Sequence, residues 1–209
     1  MFRNKMSHLL NYTKGVGFKN HSNDNILDKY TSLETYSTLY QSSIEDEKVS
    51  TNTEICFSPD IKFGSTIAHV KKNNPLEYAV FQNKEGCTVL FHKMIEDGIK
   101  LRLELHFFKD KLVFFKYVFR SSQGKEAILD LFSKKYLNSV DYRSLDLSKI
   151  ILTDSLGNYM KLDDSVFLTV DYFTFKYGFF DYLKNINSND QIQKQKSHDS
   201  EQSLLLKRI

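Results

Sequence analysis

A chain of 209 residues with 41% hydrophobic content can bury one substantial core, and 26% charged residues keep its surface solvated. Its formal net charge of +3, with Lys and Asp/Glu interleaved, argues against a nucleic-acid binder, which clusters cations against phosphates. No apolar run approaches the ~20 residues that cross a bilayer, and Cys56 and Cys87 suit reduced thiols better than a disulfide-stapled secreted domain.

The chain divides into a polar N-terminal region (1–50), a core (51–183) and a polar tail (184–209). Phe2, Met6, Leu9 and Leu10 fall at helical spacing among Arg3, Lys5, Lys14 and Lys19. A short basic amphipathic helix there has weak affinity for a membrane surface, and a frayed terminus is the favoured reading. Ile26, Tyr30, Leu33, Tyr40 and Ile44 predict a loosely packed helix within 24–48, although its Thr/Ser/Tyr-rich centre has mediocre helix propensity.

A short strand is expected at 54–57, with a turn at Pro59 and Asp60. Ser65 is positioned to cap a helix running to Asn73, with Ile67 and Val70 inward, Lys71 and Lys72 at its end and Pro75 beyond. A meander follows, with strands at 78–82, 87–95, 99–108 and 112–119, joined by loops at 83–86, 96–98 and 109–111. Leu101, Leu103, Leu105 and Phe107 alternate with Lys100, Arg102, Glu104 and His106, so one face is core and the other polar. Three-residue loops place Val89 and Phe91 beside Leu105 and Leu103, and Phe115 and Tyr117 on their other side. Ser122 then caps a helix to Leu137 with an Ile128, Leu131, Phe132, Tyr136 stripe, and strands at 149–153, 159–162 and 166–175 complete the core. The fold class is α+β: an antiparallel β-meander of about seven strands with two or three helices packed on one face.

Ile61, Gly64 and Thr66, then Val70 and Pro75 before hairpin strands, give residues 54–119 a resemblance to small outer-membrane-assembly lipoproteins of the SmpA/OmlA type. The same segment resembles the related fold of β-lactamase inhibitor proteins. The resemblance implies a helix-on-sheet scaffold that works by binding other proteins. The chain departs from that pattern in lacking a secretory signal and an N-terminal lipidation cysteine, so a cytoplasmic location is expected instead.

Phosphate loops, dinucleotide fingerprints, nucleophile elbows and zinc motifs are absent from the sequence, so no catalytic residue, metal or cofactor is assigned. The expected register gathers His92, Arg102, Glu104 and His106 on one polar sheet face, where imidazoles and a carboxylate suit acid/base or metal chemistry, or an ordinary solvated face. Tyr177, Phe179, Phe180 and Tyr182 crowd the end of the core, either as a partly exposed binding patch or as buried packing. Leu204 and Leu205 place an apolar plug on the polar tail, suited to docking on a partner. These features favour a non-enzymatic protein-binding module: an adaptor, inhibitor, immunity-type or chaperone-like protein. The alternatives are a small-molecule or lipid binder with a pocket between sheet and helix, and an enzyme using the His/Glu face.

Overall fold

The computed structural model describes residues 34–82, 86–96, 99–120, 124–137 and 142–185. In chain order the elements are α1 (Glu34–Glu45), β1 (Glu47–Ser50), α2 (Ile67–Asn73), β2 (Ala79–Gln82), β3 (Cys87–Glu96), β4 (Ile99–Phe108) and β5 (Lys111–Phe119). There follow α3 (Lys125–Tyr136), a 3-10 turn (Tyr142–Ser144), β6 (Ile150–Thr153), β7 (Asn158–Asp163), β8 (Leu168–Thr174), a second 3-10 turn (Lys176–Gly178) and a last helical segment, 179–185. The strands form one eight-stranded sheet in the order β1-β6-β7-β8-β5-β4-β3-β2.

The α+β class holds, with three corrections. The sheet has eight strands, not about seven, and it is mixed, because β1 runs parallel to β6. Strand β1 has the sequence Glu-Lys-Val-Ser, in which only Val49 turns towards the core, so it carries no alternating signal. Its register comes instead from Glu47 N–H on Lys149 O and Thr51 N–H on Thr153 O. Residues 54–57 join no strand. Ile55 donates its N–H to Asp154 Oδ2, while the Ile55 and Phe57 side chains are buried.

The third correction concerns the layers. Helices cover both faces of the sheet. On one face, α2 supplies Val70 and α3 supplies Ile128, Leu129, Phe132 and Tyr136 to a core with Leu103, Leu105, Phe115, Met160 and Tyr172. On the other, Tyr36 and Leu39 of α1 join Phe179, Phe180 and Leu183 over Val89, Phe91, Phe114 and Phe173. A sheet clothed on both sides needs apolar residues at consecutive positions, and β5 has Leu112, Val113, Phe114 and Phe115 all buried.

Turn length decides which residues share a face. Glu96 pairs with Ile99, so the β3–β4 connection has two residues, not three, and Leu90 rather than Val89 faces Leu105. The whole of β3 is thereby shifted by one residue from the expected register. The β4–β5 turn is also two residues, Lys109 and Asp110, both at positive φ (48° and 59°), the backbone of a type I′ hairpin. Here a bulge between His106 and Phe107 restores the missing residue, and Leu105 pairs with Phe115 and Leu103 with Tyr117 as expected.

Helix α2 begins one residue later than predicted. Thr66 Oγ1 accepts the His69 N–H at 3.2 Å, while Ser65 Oγ accepts the Lys62 N–H and Ser65 O accepts the Leu112 N–H. At α3 the residue before the helix is Gly124 at φ 80°; the expected cap, Ser122, lies outside the described residues.

Candidate functional site

The predicted polar face is buried. Arg102, Glu104 and His106 project together from β4, but they lie under the α1 side of the sheet with at most 7% of each residue exposed. Strand pairing sets a row across the sheet: Glu104 faces Lys116, Lys116 faces Asp171, and Asp171 faces Lys161. Arg102 Nε reaches Glu104 Oε1 at 2.5 Å, Lys116 Nζ reaches Asp171 Oδ1 at 2.9 Å, and Lys161 pairs with Asp46 at the end of α1. Opposite charges thus alternate along the row, which is what allows ionised groups to stay below the surface.

His106 links this row to α1. Its Nδ1 lies 2.7 Å from Tyr36 Oη, and its Nε2 lies 3.5 Å from Glu104 Oε2. The carboxylate favours the proton on Nε2, which leaves Nδ1 to accept from the phenol. Burial pushes the His106 pKa below its ordinary value, opposed by the bond to Glu104. Burial, then Cys87 and Glu104, hold the Tyr36 phenol well above its own, so it remains a donor.

His92 does not belong to this group. The one-residue shift in β3 pairs it with Leu103 and turns it to the α3 side, where its Nδ1 donates to Glu77 O at 2.7 Å. Its buried Nε2 has no hydrogen-bond partner among the described residues. The four polar residues therefore form no single constellation. Among the described residues no group of three or more His, Cys, Asp and Glu side chains is placed to hold a metal ion.

The aromatic group also separates. Phe179 and Phe180 are buried core residues, Tyr182 is half-buried, and Tyr177 is 44% exposed. Phe179 packs 5.0 Å from Tyr36 and Phe180 packs 4.5 Å from Phe175, which accounts for both as core. Leu204 and Leu205 lie outside the described residues, as does the basic N-terminal segment.

Tyr177 marks the remaining site. It sits in the 3-10 turn at φ 67°, ψ 14°, a left-handed conformation that is costly for an aromatic residue. Its hydroxyl donates to Phe63 O at 3.0 Å across 114 positions of sequence. The phenol crosses Gly64, itself at φ 87°; a Cβ at Gly64 would fall 2.3 Å from Tyr177 Oη. Gly64 is thus required twice, for its backbone angle and for the space the ring occupies.

Around this crossing lies a shallow cleft of about 540 Å³, lined by Phe63, Ser65, Thr66, His69, Lys111 and Tyr177 with Gly64 as its floor. Paired bonds between Gly64–Ser65 and Leu112 stitch its floor to the start of β5. Asp110 Oδ1 accepts the Ile67 N–H, fixing α2 against the β4–β5 turn. His69 Nε2 is engaged by Asp60 O at 2.7 Å. The walls offer an aromatic surface, two hydroxyls and an exposed ammonium, which suits holding a chain segment better than activating a nucleophile.

Of the cleft residues, the sequence had singled out Tyr177, Gly64, Ser65 and Thr66, but in separate connections. Lys111 and His69 carried no signal, because their meeting depends on pairing between segments distant in the chain. No protein-family model matches the chain, and neither a curated protein nor a solved structure shows significant similarity to it.

Proposed function

We propose that the protein is a non-enzymatic protein-binding module that receives a segment of its partner in the Tyr177 cleft. The observation that carries this reading is Tyr177 itself: a half-exposed aromatic in a strained backbone conformation, held by a long-range hydrogen bond over a glycine. Strain of that kind persists where surrounding contacts over-determine it, and such positions cluster at binding sites. An immobilised aromatic with a polar end is also the residue type that most often dominates a binding interface.

The rival readings have less support. The space between α3 and the sheet is filled by aromatic packing, with Phe115 stacked 4.3 Å from Tyr172 and edge-on to Phe57, which leaves a lipid or small molecule little room. The Glu104–His106 pair lies beneath α1 and is engaged by Arg102 and Tyr36, so it stands away from any substrate in bulk water. Affinity capture from the native host with the wild type and Tyr177→Ser tests the proposal. A stoichiometric partner is expected with the wild type and is expected to be lost with Tyr177→Ser at unchanged circular dichroism. A partner held equally by both proteins overturns the assignment of the cleft.

A further inference from the structure

Charge at the cleft narrows the partner's chemistry. Lys111, the first residue of β5, lines the cleft and is exposed, and no carboxylate among the described residues forms an ion pair with it. The elements that frame the cleft add Lys71 and Lys72 on α2, Lys109 in the β4–β5 turn and Lys176 beside Tyr177. Against these stand Asp60 and Asp110. Asp110 is turned towards α2 by its bond to the Ile67 N–H, and Lys109 lies over the Phe108 ring, 5.1 Å from its centroid. Lys111 is therefore the ammonium that lines the cleft without an ion-pair partner among the described residues, whereas the buried row on the sheet is balanced pair by pair.

We infer that the cleft takes an acidic peptide segment, with a carboxylate at Lys111 and an apolar side chain of the segment against the exposed ring of Tyr177. This inference rests on the protein-binding reading of the same cleft and adds the partner's charge. A lysine is a point charge without the planar fork of arginine, so it selects the sign of a ligand more than its shape. The aromatic surface beside it requires an apolar group next to the acid, which a free inorganic anion lacks. The Lys111 charge also raises the rate at which an acidic segment is captured, with a dependence on ionic strength.

The test uses the full chain, isotopically labelled for amide NMR, and three capped pentapeptides: alternating glutamate and leucine, its glutamine counterpart and its lysine counterpart. The glutamate peptide is expected to shift the amides of Gly64, Ser65, Lys111 and Tyr177. The glutamine peptide should bind about threefold to tenfold more weakly, and the lysine peptide should leave those amides in place. Lys111→Glu should reverse the order of the two charged peptides. Equal binding of the glutamate and glutamine peptides overturns the acidic preference and leaves the protein-binding reading intact. Inorganic phosphate shifting the same amides in the same concentration range overturns the peptide in favour of a simple anion site. Unmoved cleft amides with every peptide overturn the inference, while capture with Tyr177→Ser judges the broader reading separately.

Discussion

The contact between Tyr177 and Gly64 brings two left-handed backbone conformations together, one strained and one that glycine alone adopts freely, and their dependence on each other is measurable. Gly64→Ala at φ 87° should cost about 1 kcal/mol for the backbone angle alone. Displacing the phenol, whose oxygen would lie 2.3 Å from the new Cβ, should raise the total to roughly 2–3 kcal/mol by loss of the Phe63 hydrogen bond and its packing. In a Tyr177→Ala background the same substitution should cost only the backbone share. Urea denaturation of the four proteins in a double-mutant cycle reads the difference; additive effects would mean that ring and glycine do not interact. A second residue-scale prediction concerns Asp154. Its carboxylate accepts the N–H groups of Ile55, Leu156 and Asn158 and the Asn158 side-chain amide. Asp154→Ala strands these donors near the end of β6, and an expected loss of about 3 kcal/mol, read from the denaturation midpoint, far exceeds that of a surface Asp→Ala.

At the scale of elements, the sequence showed β2 to β8 plainly, missed β1 and placed a strand at 54–57 that joins no sheet, and it did not show what covers the faces. The period of two in β4 was legible because Leu101, Leu103 and Leu105 alternate with longer polar side chains. The identity of the polar side's surroundings was not, because alternation says nothing about what covers a face. Tyr36 and Phe179, which do cover it, lie far from β4 in sequence. Likewise His92 went to the opposite face through one residue of turn length, a quantity that loop composition does not settle. The charged strand β1 has no apolar pattern and depends on backbone pairing with β6. The consequence of covering the polar row is a pH dependence. Burial holds the His106 pKa below its ordinary value, so the unfolded chain takes up a proton that the folded chain resists. Stability contributed by this group is present above about pH 6.5 and is lost as pH falls below that value, with each unit of depression worth about 1.4 kcal/mol. The groups that act on the ring are Glu104, Lys116 and Asp171, with the Tyr36 hydroxyl at Nδ1. Denaturation midpoints of the wild type and His106→Gln between pH 8 and pH 5 isolate the effect: the variant should show the shallower acid-side decline. Parallel slopes would show that His106 titrates alike in both states.

For the whole molecule, the important feature is that two cores share one sheet. Strand β5 contributes Phe115 to one and Phe114 to the other, and β8 contributes Tyr172 and Phe173 in the same way. Among the described residues both layers of helices rest on this one sheet, and the Arg102–Glu104 and Lys116–Asp171 pairs would become solvated if the α1 side were removed. Loss of either layer therefore weakens the sheet that supports the other, and the described fold should unfold in a single transition. The alternative is stepwise loss of the layer formed by α1 and residues 179–185, which rests on the aromatic contacts of Tyr36, Phe179 and Phe180. Phe179→Ala discriminates between them, because Phe179 is fully buried, packs against Tyr36 and Phe108, and belongs to the α1-side core. A cavity of that size should cost about 3–5 kcal/mol. With shared support, thermal melts followed by far-ultraviolet circular dichroism and by tyrosine fluorescence should fall together and remain superimposed. If the layers are independent, the fluorescence trace will show an early phase from Tyr36, Tyr40 and Tyr182, and the sheet will melt near the wild-type temperature. The Tyr177 cleft joins the turn before residue 179 to the loop that enters α2, so it bridges the two layers at their rim. Binding in the cleft should therefore raise the single transition of the whole molecule.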